Sequence, residues 1–235
     1  MKMLLRKIIY VFYVLLVIIK GLKYELIRKF KGKVSALEYA QKITYLWCKF
    51  TIKIIGIDLE VKGLENIPKE PCVFIGNHSS ILDIPILLCT VNRNIGFISK
   101  KEILKTPIIG YWLTRTNCVA MDRENPRTAL KAINDAVQNL KDGSSMAIFP
   151  EGTRNKEGKV GEFKKGSLKL ATKAKAPIVP VSIERASRAF EDTKDFVPTK
   201  IKLVFGEAID TKNLSKEEEL NLTENIRNTI ISNLK

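Results

Sequence analysis

Gly76-Asn77-His78-Ser79-Ser80-Ile81-Leu82-Asp83 follows a short apolar run and holds the one histidine of this 235-residue chain. On a continuous helix five residues turn about 500°, which leaves His78 and Asp83 about 140° apart. The two meet only if the backbone turns between them, with His78 on a loop and Asp83 in a first helical turn, where Pro85 is tolerated. A carboxylate on one imidazole nitrogen fixes the tautomer and leaves the other nitrogen as a base for a substrate hydroxyl. Such a base contributes about 10²- to 10⁴-fold in rate. A histidine after a strand is, taken alone, more often structural, so the pair needs corroboration from elsewhere in the chain.

Two further clusters follow apolar runs. In Phe149-Pro150-Glu151-Gly152-Thr153-Arg154-Asn155, Gly152 lets backbone amides face a ligand and Arg154 offers a planar fork suited to phosphate. Glu151 either accepts hydrogen bonds from substrate hydroxyls or holds Arg154 in place; a polar turn with an internal salt bridge is the plain alternative. Val119-Ala120-Met121-Asp122-Arg123 delivers a second guanidinium, and Lys100-Lys101 and Lys164-Lys165 add cations to what reads as one rim. Together these describe a hydroxyl activator beside a phosphate clamp.

The elements that must position them form an alternating series. Candidate strands are residues 58–61, 73–76, 95–99, 118–121, 146–149, 178–183 and 201–205, with helical stretches at 84–89, 126–140, 167–174 and 216–234. Alternation of this kind predicts an α/β fold with a central, mostly parallel sheet flanked by helices. Ligands of such sheets bind beyond the carboxyl ends of the strands, where all three clusters fall.

Forty Lys and Arg against 25 Asp and Glu leave a net charge of +15, and residues 1–60 alone carry 12 basic and 4 acidic side chains. Anionic partners are therefore favoured, phospholipid among them. Ile8 to Ile19 is an unbroken apolar run between basic flanks. Twelve helical residues span about 18 Å, short of the roughly 30 Å of hydrocarbon, so an interfacial anchor fits better than a full span. No small-x-small cleavage site follows it, and we expect it to be retained. Leu37, Ala40, Ile43, Trp47, Phe50 and Ile54 recur at helical spacing with lysines opposite, and Tyr39, Tyr45 and Trp47 are types that settle at headgroup level. The reading is a two-helix membrane-docking hairpin at residues 1–57, with Lys29 to Lys33 as its basic turn, ahead of an α/β domain at 58–235.

Cys48, Cys72, Cys89 and Cys118 form no Cys-x-x-Cys pair, so neither zinc nor a disulfide framework is expected. No zinc-finger or RNP-like signature supports nucleic acid as a partner, and Gly161 to Gly166 lacks the lysine of a P-loop. A nucleophile elbow of the Gly-x-Ser-x-Gly kind is missing, which weighs against a lipid hydrolase.

The combination resembles the glycerolipid acyltransferase family, whose best-known members act on 1-acylglycerol 3-phosphate. NHSSILD is similar to its NHxxxxD block, CVAMDR to its second, FPEGTRN to its third and IVPVSI to its fourth, with FKKG between the last two; the likeness runs from Asn77 to Ser182. One departure is Asn117-Cys118, where family members often carry glycine. The resemblance implies His78 as catalytic base and Asp83 as its orienting partner. It also implies Arg123, Glu151, Gly152, Thr153 and Arg154 around the acceptor's phosphate and glycerol, with Lys100 as an addition. It further implies no bound cofactor and no metal, acyl-CoA or acyl carrier protein as donor, lysophosphatidic acid as acceptor, and an apolar tunnel for the chain. Other lysophospholipids, lyso-aminolipids and glycerol 3-phosphate remain open as acceptors. The expected location is a membrane surface, the cytoplasmic face of a bacterial inner membrane.

Overall fold

The computed structural model describes every residue except Met1, Asn92, Arg123, Glu124, Lys156 and Lys165. Seven strands form one sheet: β1 (Ile57–Lys62), β2 (Val73–Gly76), β3 (Ile95–Lys100), β4 (Val119–Met121), β5 (Ser145–Ile148), β6 (Ile178–Ile183) and β7 (Thr199–Phe205). Their order is β1-β7-β6-β2-β5-β3-β4, and every neighbouring pair is parallel except β6 with β7. All seven strands read from the sequence are present, with ends shifted by a residue or two. The central strands β2, β5 and β6 are buried along their whole length. Covered on both faces, they are short, chiefly apolar runs, interrupted only by the buried Ser145 and Ser182, with no inside-outside alternation.

One face is closed by α4 (Pro126–Lys141), α5 (Lys169–Ala174) and α6 (Lys216–Asn233), whose Ala136, Leu170 and Ile226 pack with Ile75, Met146 and Ile178. Helix α4 starts at Asn125, whose side chain accepts from the Arg127 and Thr128 amides, and α6 starts on a Ser215–Glu218 capping box. The other face gathers Phe74, Phe97, Val181 and Phe205 under α2 (Asp83–Thr90) and the end of α1. Helix α3 (Pro107–Leu113) was not foreseen; its signal is Pro107 at the first helical position, inside a segment too short for periodicity to show.

Helix α1 (Lys2–Ile55) is two limbs broken at Gly32, whose φ of 85° and ψ of −179° lie in a region open essentially to glycine alone. The limbs fold back on each other. Tyr13 stacks on Phe50 with centroids 3.8 Å apart, and Trp47 donates its indole N–H to the Tyr10 oxygen at 3.2 Å. The first limb is fastened to the body by Arg115 on Glu25, by the Tyr111 hydroxyl on the Gly21 carbonyl, and by Lys7 on Asp195.

The apolar faces are arranged differently from the sequence reading. Tyr45 and Trp47 line a cavity against the sheet, because the limb that carries them ends in the core that covers the sheet, where Ile52, Ile54 and Ile55 pack. The outward apolar stripe belongs to the first limb, where Phe12, Leu16, Ile19, Leu22, Leu26 and Phe30 are all exposed, Phe30 by 73%. Among the described residues no helix is long and apolar enough to cross a membrane.

Candidate active site

β2 ends at Gly76, and the next side chain locks the strand end. Asn77 donates to the Ile183 carbonyl and accepts from the Ile183 amide, both at 2.8 Å, tying β2 to the end of β6. Sequence reading passed over Asn77, although a buried amide that pairs both ways with one backbone residue is what fixes the direction of the following turn. After it, the Ser79 and Ser80 amides donate to Asp83 Oδ2 at 2.7 and 2.9 Å, and His78 Nδ1 lies 2.7 Å from the same oxygen. The backbone therefore turns between His78 and Asp83, and α2 starts at Asp83, as the five-residue spacing requires.

Asp83 is fully buried and its Oδ1 has no hydrogen-bond partner among the described residues. Burial pushes its carboxyl above the ordinary range, opposed by the histidine and the two serine amides. The His78 ring lies flat on Phe149, centroids 4.3 Å apart, so packing as well as the carboxylate holds it. With Nδ1–H donated to Asp83, Nε2 is left as acceptor at the cavity edge, where His78 is a lining residue.

Glu151 corrects the sequence reading. It does not hold Arg154: its Oε1 accepts from the His78 amide at 2.7 Å and its Oε2 from the Gly161 amide at 3.0 Å. The carboxylate is buried and is absent from the cavity lining, so it braces the backbone beneath the site. Burial raises it above its ordinary value, with both amides opposing. Gly152, at φ 73°, turns the chain so that Thr153 and Arg154 reach the cavity edge. Arg154 pairs instead with Glu191, at 2.5 Å.

Lys100, exposed at the end of β3, lines the same cavity, while its neighbour Lys101 pairs with Asp122 at 2.6 Å. Lys164 is exposed but not a lining residue, so it does not join Lys100 on the rim expected. Arg123 and Lys165 lie outside the described residues.

The cavity has a volume of about 980 Å³ and lies between the α1 hairpin and the sheet. Its walls are chiefly apolar, with Ile81, Leu88, Phe97, Ile109, Trp112 and Phe196 among them, and His78, Lys100, Thr153 and Arg154 add polar groups to the lining. An apolar pocket with a few convergent polar groups is the form that binding sites for extended apolar ligands take. No group of His, Cys, Asp and Glu side chains among the described residues is placed to hold a metal ion.

Fold and site define a class: an α/β protein whose imidazole–carboxylate pair sits beyond the end of a central strand, with the imidazole lining a chiefly apolar cavity. The Acyltransferase family model matches residues 58–184. The chain belongs to the acyltransferase family. It is 34% identical over 188 residues to the 1-acyl-sn-glycerol-3-phosphate acyltransferase of Borreliella burgdorferi, covering 79% of this chain and 75% of that one. It is 37% identical over 143 residues to a chloroplastic protein of the same description from Brassica napus, covering 60% of this chain but only 41% of the plant protein. The crystal structure of the 1-acyl-sn-glycerophosphate (LPA) acyltransferase PlsC from Thermotoga maritima superposes with a TM-score of 0.78 at 29% identity, over 100% of this chain and 96% of that one.

Proposed function

We propose that the protein transfers a fatty acyl group from acyl-CoA or acyl carrier protein to the sn-2 hydroxyl of lysophosphatidic acid, giving phosphatidic acid. The observation that carries this reading is the 2.7 Å contact between His78 Nδ1 and Asp83 Oδ2, with His78 lining the chiefly apolar cavity. His78 Nε2 takes the hydroxyl proton as the oxygen attacks the thioester carbonyl. The tetrahedral intermediate then collapses, the C–S bond breaks, and the leaving thiolate takes the proton back from the imidazolium. No acyl-enzyme forms. Asp83 holds the ring's tautomer and balances its transient charge, while Gly152, Thr153, Arg154, Lys100 and Arg123 serve the acceptor's phosphate and glycerol, Arg154 as a planar fork. Glu151 acts through the backbone of His78.

The acceptor and product of this reaction are lipids, and the exposed apolar stripe of the first α1 limb supports docking on a phospholipid surface; the surface proposed is the cytoplasmic face of a bacterial membrane. Lysines along both limbs add attraction to anionic lipid, about 1 kcal/mol each near the surface.

The test is transfer of labelled acyl groups from acyl-CoA and from acyl carrier protein by detergent-solubilised protein. Lysophosphatidic acid, glycerol 3-phosphate and other lysophospholipids are offered side by side, with His78→Ala as control. Phosphatidic acid from wild type and none from the variant is the expected result. Product from a different acceptor alone would move the reading to that acceptor.

A further inference from the structure

Glu191 stands in none of the motifs, yet it joins two of them. Its Oε1 takes the Arg154 Nη1 donor at 2.5 Å and its Oε2 takes the Ile81 amide at 3.1 Å. One carboxylate thus ties the loop after β5 to the turn that runs from His78 to Asp83. Its side chain is 14% exposed, against 45% for Arg154, so the acid is the fixed member of the pair. The segment carrying it is itself anchored. Phe190 and Phe196 pack on each other and line the cavity, Phe196 meets the Tyr10 ring edge-on, and Asp195 pairs with Lys7.

We propose that Glu191 is the positioning residue of the acceptor's phosphate site: it holds Arg154 at the cavity mouth with the remaining guanidinium donors turned over to the phosphate. This rests on the acceptor reading above. Arg154 uses one nitrogen on Glu191, and its guanidinium makes no other hydrogen bond among the described residues, which leaves Nε and Nη2 for a bidentate contact. A free arginine must be ordered when ligand arrives, a loss of roughly tenfold or more in affinity. A partner that orders it beforehand removes that loss. Glu191 also repels the incoming phosphate, but across a guanidinium in contact with solvent that repulsion is screened to about threefold, so positioning wins.

The experiment is Glu191→Gln in the full chain, which keeps an oxygen for the Ile81 amide and removes the charge that holds Arg154. The KM for lysophosphatidic acid should rise roughly tenfold while kcat stays within about twofold. Arg154→Ala should raise KM at least as far, and the double variant no further. Binding of lysophosphatidic acid, read separately by fluorescence of Trp47 and Trp112 in the cavity wall, should weaken by the same factor. An unchanged KM, a lower KM, additive losses in the double variant, or a fall in kcat alone would each overturn the proposal. Wild type that binds lysophosphatidic acid without acylating it would overturn the function reading instead, and the binding ratio would still decide the role of Glu191. Wild type that fails to bind it would overturn both.

Discussion

The Glu151 carboxylate accepts the backbone N–H of His78 at 2.7 Å across 73 residues of sequence, and its other oxygen accepts from Gly161 at 3.0 Å. The acidic residue of one motif therefore sets the main chain on which the histidine of the other is mounted.

Glu151→Gln should behave as a severe change although it removes only a charge. Glutamine has one carbonyl oxygen and one NH₂, and whichever way it turns a donor faces a backbone donor. Leaving a buried N–H unpaired costs about 1–3 kcal/mol. Thermal melting should fall by several degrees and kcat at least tenfold; equal melting and turnover would refute the bracing role.

Asp83→Asn should separate stability from activity. The folded carboxyl titrates above its ordinary value of 3.8 because burial disfavours the charge. The folded chain thus holds that proton more tightly than the unfolded chain, so burial is harmless below this value and removes stability as pH rises through it. The variant should melt no lower than wild type at pH 7, with its relative advantage shrinking toward pH 4, while turnover is lost at every pH. Melting curves at both values check the sign; an advantage that grows on acidification would contradict it.

Leu16→Glu with Ile19→Glu should release the protein from anionic vesicles. Both residues are exposed on the first limb, at 54% and 60%, and face away from the hairpin core. Losing the burial of two such side chains in lipid costs about 3–6 kcal/mol, a drop of at least 10²-fold in partitioning. Soluble, folded protein that no longer co-sediments with vesicles is the expected outcome. Undiminished sedimentation would assign docking to another surface.

The thiols of Cys72 and Cys89 should resist alkylation. Burial pushes both up to about 11, so at pH 8 only about one thiol in a thousand is thiolate. Labelling of native protein by iodoacetamide should be slow and should accelerate on unfolding; rapid native labelling would contradict the burial.

The sequence by itself determined the seven strands and the parallel character of the sheet, and it set the condition for His78 to meet Asp83, a backbone turn between them. These depend on apolar runs and on a spacing of five residues, both local properties of the chain. Tertiary structure alone decided three other things. Glu151 turned from Arg154 to the His78 backbone, and Arg154 turned to Glu191, which has no local signature and meets Ile81 across 110 residues. The hairpin sent Tyr45 and Trp47 inward and left the first limb's stripe exposed. In each case the outcome is a competition among partners distant in sequence, settled by which buried donors need an acceptor and which apolar face the sheet covers. Periodicity carries no information about either.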